Sequence, residues 1–192
     1  MCRIVGAYHM GNALMAPSRI MPPASLSGLA VLKNNADSVD SAFCALTDFQ
    51  EHYPIIVEID SCIEDALAEM KTWGVHALLV THQEIGGIDL QVIGLITHYD
   101  IESRHRRYAN TASREYDRIV RVGEVMTAWN ELILVKYEAL RTLTTHDLRK
   151  TFQRTGLTHL LVVEFGDEES VVARGLLSQA ALAKHLNGSS LL

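Results

Sequence analysis

Cysteine is scarce in this sequence: Cys2, Cys44 and Cys62 are the only three. They are odd in number, far apart and form no C-x-x-C pair. That excludes a disulfide framework and fits free, mostly buried thiols in a reducing compartment. Long apolar runs are missing as well. No stretch approaches the roughly 18 residues needed to cross a bilayer. Between Met1 and Met21 there are apolar residues, but His9, Asn12 and Arg19 interrupt them and leave a poor signal-peptide core. The expectation is a cytoplasmic protein with no membrane partner. A basic excess is also absent. The formal net charge is −6, which argues against a nucleic-acid partner, because phosphate attraction needs a basic face.

The motifs of common chemistries are missing too. There is no G-x-S-x-G, no P-loop and no dinucleotide glycine fingerprint. None of the nine histidines falls in an H-x-x-x-H pair or a His/Cys cluster of metal spacing. No catalytic residue and no metal ligand set is assigned, so the chain is not expected to be an enzyme. Cys62, near a helix start, reads as a half-buried structural thiol. Trp73 and Trp129 read as core or interface residues.

What is present is a core-forming composition. Hydrophobic residues make up 48% of 192 residues, enough for one ordinary domain or two small ones. Residues 1–38, with Pro17, Pro22 and Pro23, read as an irregular lead-in. From Ser38 the apolar residues Val39, Ala42, Phe43, Leu46 and Phe49 fall at helical spacing, with Asp37 or Ser38 as cap. Pro54 to Val57 reads as a strand. Ser61 to Glu64 has the form of a capping box, the Glu three residues after the Ser. Ile63, Ala66, Leu67 and Met70 continue as a helix stripe that Gly74 ends. Ala77 to Val80 is a strand too apolar for a wet face, and a loop around Gly86-Gly87 leads to a further strand at Val92 to Ile96. Arg104 to Arg121 is polar and arginine-rich, a solvated linker from which one or two arginines can reach a phosphate.

The pattern then recurs. Val125 to Trp129 lies 80 residues after Ala45 to Phe49. Leu132 to Val135 repeats the first strand, and Thr144 to Asp147 repeats the cap. Gly156 to Val162 repeats Gly74 to Val80, and Gly175 to Ser178 repeats Gly94 to Thr97. Each half reads strand, helix, strand, strand, helix. A unit of that size cannot bury its sheet alone, so the two halves are expected to pack face to face about a pseudo-twofold axis. His76 and His159 are read as equivalent positions of the two repeats and are then expected to face each other, a pH-sensitive contact or simply two satisfied histidines.

The organising stretch is Gly94-Leu95-Ile96-Thr97-His98-Tyr99-Asp100-Ile101. It reads as a buried strand running into a helix, with a hydroxyl and a carboxylate three residues apart at the junction. Helix starts carry free N–H groups and a partial positive charge, which makes them ready phosphate sites. Asp100 would then accept hydrogen bonds from a diol such as ribose. The plainer alternative is a capped helix in which Thr97 or Asp100 satisfies free N–H groups.

With both copies in view, each half resembles a cystathionine-β-synthase (CBS) domain, and the pair resembles a Bateman module. The resemblance rests on the G-h-h-T-x-x-D run Gly94 to Asp100, on the helix ending at Gly74-Val75, and on Val122-Gly123-Glu124-Val125-Met126-Thr127. It covers about Val39 to Asn187. It implies an α+β fold of two β-α-β-β-α repeats, at 39–107 and 122–188, joined by a linker at 108–121 and followed by a tail at 189–192. It also implies a regulatory protein, without a required cofactor, that binds an adenosine compound of the AMP, ATP, NAD or S-adenosylmethionine class between the repeats. Carried over residue by residue, the site is Thr97, His98 and Asp100 from repeat one with Ile133, Thr158 and His159 from repeat two. A second, degenerate site comprises Ser178, Ile55 and His76, because Ala181 stands where the family's Asp belongs. Two lost charge-assisted hydrogen bonds weaken binding roughly a hundredfold or more. The resemblance further implies a homodimer through helix faces, those bearing Met70 or Phe152 and the helix from Ser38 being the candidate contacts, and an unidentified protein partner. The alternative is a dimerisation or interaction module whose ligand sites are vestigial.

Overall fold

The computed structural model describes residues 41–83, 90–109, 119–165 and 171–189. The whole of the lead-in (with Cys2 and the expected caps Asp37 and Ser38), Val39, the Gly86-Gly87 loop, Arg114 and Arg118 of the linker, and most of the tail lie outside them. The first described element is a turn of 3-10 helix, Ala42–Ala45, followed by strand β1 (Leu46–Asp48). Then come β2 (Ile56–Glu58), α1 (Ile63–Trp73), β3 (Ala77–Gln83), β4 (Leu90–Thr97) and α2 (His98–Ala109). After the linker follow β5 (Thr127–Ala128), β6 (Leu134–Lys136), α3 (Thr145–Thr155), β7 (His159–Phe165), β8 (Val171–Ser178) and α4 (Gln179–Ser189). The β-α-β-β-α order is present twice, at β2 to α2 and at β6 to α4.

Two compact units result, and each holds a four-stranded sheet. The first unit comprises 54–131 and orders its strands β2-β3-β4-β5. The second comprises 132–189 together with 41–53 and orders its strands β1-β8-β7-β6. In each, a short strand runs parallel to its neighbour and two long strands form an antiparallel pair. The fourth strand comes from outside the β-α-β-β-α run: β5 lies on β4, and β1 lies on β8. Gly94 and Gly175 make that possible. A Cβ on Gly94 would stand 2.6 Å from the Thr127 carbonyl oxygen, and one on Gly175 would stand 2.5 Å from that of Thr47.

This pairing corrects the helix expected from Ser38. Among the described residues of that stretch only Ala42–Ala45 is helical, as a 3-10 turn capped by Ser41, and Leu46 onward is extended. Ala42, one of the apolar residues at helical spacing, enters the second unit's core together with Ala45, while Leu46, another, begins a strand in which Leu46 to Asp48 pair with Leu177 to Gly175. Tertiary pairing overrides a local pattern when it satisfies a whole row of backbone groups.

The cores are separate. In the first unit Ile63, Ala66 and Met70 of α1 pack on Leu78, Val80 and Ile96. In the second, Leu148 and Phe152 of α3 pack on Leu160, Val162 and Leu177. Met70 and Phe152 are each 2% exposed. These two side chains are therefore core residues of their own units.

The α1 cap also differs by one residue from expectation. Its N-cap is Cys62, whose thiol donates to Asp65 Oδ2 at 2.8 Å, and the Ser61–Glu64 box does not form. The backbone explains this. Ile63 N–H donates to the Val120 carbonyl and Val122 N–H to the Ser61 carbonyl, so Cys62 is pinned in extended form opposite Arg121. Helix begins only past Cys62, which is buried rather than half-buried at 7% exposure. Gly74 closes α1 at φ 65° and Gly156 closes α3 at φ 70°, the left-handed position that glycine tolerates best.

Candidate functional site

At the β4–α2 junction the fold brings together Thr97, His98 and Asp100. Thr97 ends β4 and is 8% exposed. Its backbone N–H donates to Asp100 Oδ2 at 2.8 Å and its hydroxyl donates to the same oxygen at 2.7 Å. Asp100 N–H returns a bond to Thr97 Oγ1 at 3.3 Å. This is a reciprocal capping box. It places a carboxylate in the first turn, where the helix dipole favours it. The plainer alternative is therefore realised: Asp100 caps its own helix through Oδ2, while Oδ1 lies outside these bonds.

The same box recurs at α3. Thr144 hydroxyl donates to Asp147 Oδ2 at 2.6 Å, and Asp147 N–H donates to Thr144 Oγ1 at 3.1 Å. The Thr144 hydroxyl bond holds the Asp147 carboxyl below its ordinary 3.8; partial burial opposes this, and the Thr144 N–H adds to it. A threonine and an aspartate three apart are thus enough to start a helix. What distinguishes β4–α2 is its neighbours. His98 N–H donates to the His76 carbonyl, and the two rings lie 6.0 Å apart, edge to face. His98 also packs edge-on against Tyr99 at 5.5 Å, and its Nε2 is 3.1 Å from Glu102. Tyr99 is 53% exposed. A histidine, a tyrosine and a helix start thus adjoin in one place. Sequence reasoning misses Tyr99, although its position inside the T-x-x-D run is an available signal.

In the second unit the equivalent junction is β8–α4. Ser178 Oγ accepts from Ala181 N–H at 3.3 Å, and Ala181 supplies no carboxylate. Gln179 N–H donates to the Thr158 carbonyl, the bond that corresponds to His98 with His76. Thr158 Oγ1 lies 3.0 Å from His159 Nδ1. Ser178, Thr158 and His159 are thus brought together around the start of β7, while Ile133 packs against the second core and Ile55 against the first. The register corrects the expected equivalence of the two histidines. His159 pairs with Ser178 as Ala77 pairs with Thr97. His159 therefore corresponds to Ala77, and His76 corresponds to Thr158.

No protein-family model matches the chain, and no curated protein is similar to it in sequence. Solved structures are similar in fold. One is a protein with CBS domains from Burkholderia ambifaria MC40-6, 21% identical, matching 76% of this chain and 91% of its own at a TM-score of 0.50. The fold is that of a tandem CBS-domain pair. A conserved protein from Pyrococcus horikoshii matches at 17% identity and a TM-score of 0.51, over 79% of this chain and 95% of that one. CBSX2, a CBS-pair protein of Arabidopsis thaliana, was solved in complex with AMP; it is 18% identical over 79% of this chain and 98% of its own, at a TM-score of 0.49.

Within this fold each part of the run Gly94 to Asp100 has its own task. Gly94 admits the fourth strand, Leu95 and Ile96 are buried, and Thr97 with Asp100 opens α2. The arginines are partly occupied. Arg106 pairs with Glu102 at 2.8 Å, Arg107 donates to the Ser103 carbonyl, and Arg121 donates to the Asp60 carbonyl. Among the described residues no group of three or more His, Cys, Asp or Glu is placed to hold a metal ion, and no helix is long and apolar enough to cross a membrane.

Proposed function

We propose that this CBS pair is a ligand-sensing regulatory protein that binds an adenosine-containing metabolite of the AMP, ATP, NAD or S-adenosylmethionine class. The observation that carries the reading is the difference between the two junctions. One has hydroxyl, carboxylate, histidine and an exposed tyrosine at a helix start; the other has the hydroxyl but Ala181 for the carboxylate. In this reading Asp100 Oδ1 accepts a ribose hydroxyl. Thr97 and the first N–H groups of α2 meet a phosphate, with His98 beside them. Ile133, Thr158 and His159 complete the site from the second repeat, and the site around Ser178, Ile55 and His76 is degenerate. The protein works in the cytoplasm as a homodimer and passes its signal to a separate protein, without catalysis.

A specific observation favours a second reading, an interaction module with vestigial sites. Asp100 Oδ2 already has two donors, in the same geometry as Asp147. Thermal-shift measurement separates the two. A ligand at 100 times its dissociation constant stabilises by about 2.7 kcal/mol, or about 5–10 °C in a chain of this size. AMP is the first probe, followed by ATP, NAD and S-adenosylmethionine. Asp100→Ala is expected to lower the melting temperature and abolish the ligand shift. Asp147→Ala removes a cap of the same build and is expected to lower the melting temperature alone. If none of the four compounds moves the transition, the interaction reading replaces the sensing one.

A further inference from the structure

One ion pair in the second unit has no counterpart among the described residues of the first. Arg174, in β8, is 8% exposed. Its Nη2 donates to Asp48 Oδ2 at 3.0 Å, and its guanidinium lies 4.5 Å over the Tyr137 ring. Nε and Nη1 are buried and make no hydrogen bond among the described residues; Glu164 Oε2 is 3.9 Å from Nε. Asp48 is held as well, its Oδ1 accepting from Gln50 N–H at 2.8 Å. Phe49 N–H donates to the Arg174 carbonyl at 2.9 Å. Backbone and side chain together clasp the end of β1 to the residue that precedes Gly175. In the first unit the residue before the glycine is Ile93, and Ala128 takes the place of Asp48 opposite it.

In other respects the two docking edges are alike. Thr47 pairs with Leu176 and Thr127 with Leu95, and each edge has the glycine that lets a carbonyl approach. Backbone pairing therefore does not tell β1 which edge to take. Proximity along the chain favours the wrong one, since Ile96 is far nearer to Leu46 than Leu177 is, and short loops close first. The charges supply the discrimination. On the β4 edge Asp48 would lie beside Ile93, and Arg174 would be left against Ala128 with only Glu164 at 3.9 Å and the Tyr137 ring, so the hydrogen bond that joins the two charges would be lost. Specificity of this kind arises as much from penalising the wrong pairing as from favouring the right one.

We infer that the Asp48–Arg174 pair sorts the crossing strands, admitting β1 to the β8 edge and excluding it from β4. The test is strand pairing by NMR in the whole 192-residue chain. The double variant Asp48→Ala, Arg174→Ile gives the second unit the apolar pairing of the first. It is expected to lose the single set of signals for 46–48, with one set showing contacts from Thr47 to Leu176 and another from Thr47 to Leu95. A single set with contacts to Leu176 alone overturns the inference. If that variant does not fold, the charge reversal decides. Asp48→Arg is expected to lose the Thr47–Leu176 contacts, and Asp48→Arg with Arg174→Asp to regain them in one set of signals. Retention of the contacts in Asp48→Arg, or failure of the reversal to regain them, also overturns it.

Discussion

Alanine at Gly94 is a sharp test of why the signature run begins with glycine. The added methyl would stand 2.6 Å from the Thr127 carbonyl oxygen, 3.0 Å from Met126 Sδ and 3.5 Å from Ala128 Cα. The sulfur sits on a flexible side chain and can move. The carbonyl cannot, because it belongs to β5, paired with β4 at Gly94 and Leu95. Overpacking of this kind costs about 1–3 kcal/mol. Restricting the unfolded chain returns about 0.4–1 kcal/mol. The balance is a net loss of about 1–2 kcal/mol, or a fall of about 2–8 °C in melting temperature for a chain of this length. Hydrogen exchange adds the location: amides at 94–97 and 127–128 are expected to exchange faster, and those of β6 to β8 are expected to keep their rates. Gly175→Ala repeats the experiment in the other unit, where Thr47 O is 2.5 Å and Leu46 Cδ1 is 2.7 Å away. Alanine variants as stable as the parent, or more so, would refute the docking account and leave these as ordinary strand glycines.

Core packing and helix capping set the remaining outcomes. Phe152→Ala empties a site that is 2% exposed and is expected to cost about 3–5 kcal/mol in urea unfolding; a loss below about 1 kcal/mol would mean the side chain is not core. Gly74→Ala meets no atom within 4 Å but sits at φ 65°, so its cost of about 1–2 kcal/mol is conformational, and Gly74→Asn is expected to be milder. Thr144→Ala removes the α3 cap and is expected to cost about 1 kcal/mol near neutral pH. The α3 box is also pH-dependent with a definite sign. The native Asp147 carboxyl titrates below its ordinary 3.8, so its contribution is complete above that value and fades as pH falls through the lowered native one. The stability gap between parent and Thr144→Ala is therefore expected to narrow in acid; a gap unchanged from about pH 7 to about pH 3 would contradict the assignment.

Much of this fold is legible in the sequence because its long strands and two core helices declare themselves locally. Ala77 to Val80 and Leu160 to Val162 are apolar on both faces, and Ile63, Ala66, Met70 and Leu148, Phe152 keep helical spacing. The elements that resist reading are those defined by distant partners. Leu46 to Asp48 are a strand only because Gly175 leaves them a place. Cys62 rather than Ser61 caps α1 because residues 120–122 hold the preceding backbone extended. The histidine correspondence shifts by one because His76 stands two residues after Gly74 and His159 three after Gly156, so spacing and strand register both match His76 with Thr158. At the site, Thr97 and Asp100 are legible as a pair. That their first task is to bond each other is geometric, and the identical Thr144–Asp147 box shows that four residues alone do not separate a ligand site from a cap. Arg174 escapes sequence reasoning although a lone charge inside Val171 to Leu177 is a visible signal, because the carboxylate it donates to, Asp48, lies 126 residues away.

The crossed strands also govern how the gene can be divided. A fragment ending near residue 109 would retain β1 but lose the edge on which it rests, and it would present β4 without its neighbour. The complementary piece would carry β5 with nothing to lie against and would uncover β8. Cutting between the apparent repeats thus leaves each product with one raw sheet margin and one strand without a sheet, the kind of surface that seeds aggregation. Shortened versions of this chain should keep both crossings or neither.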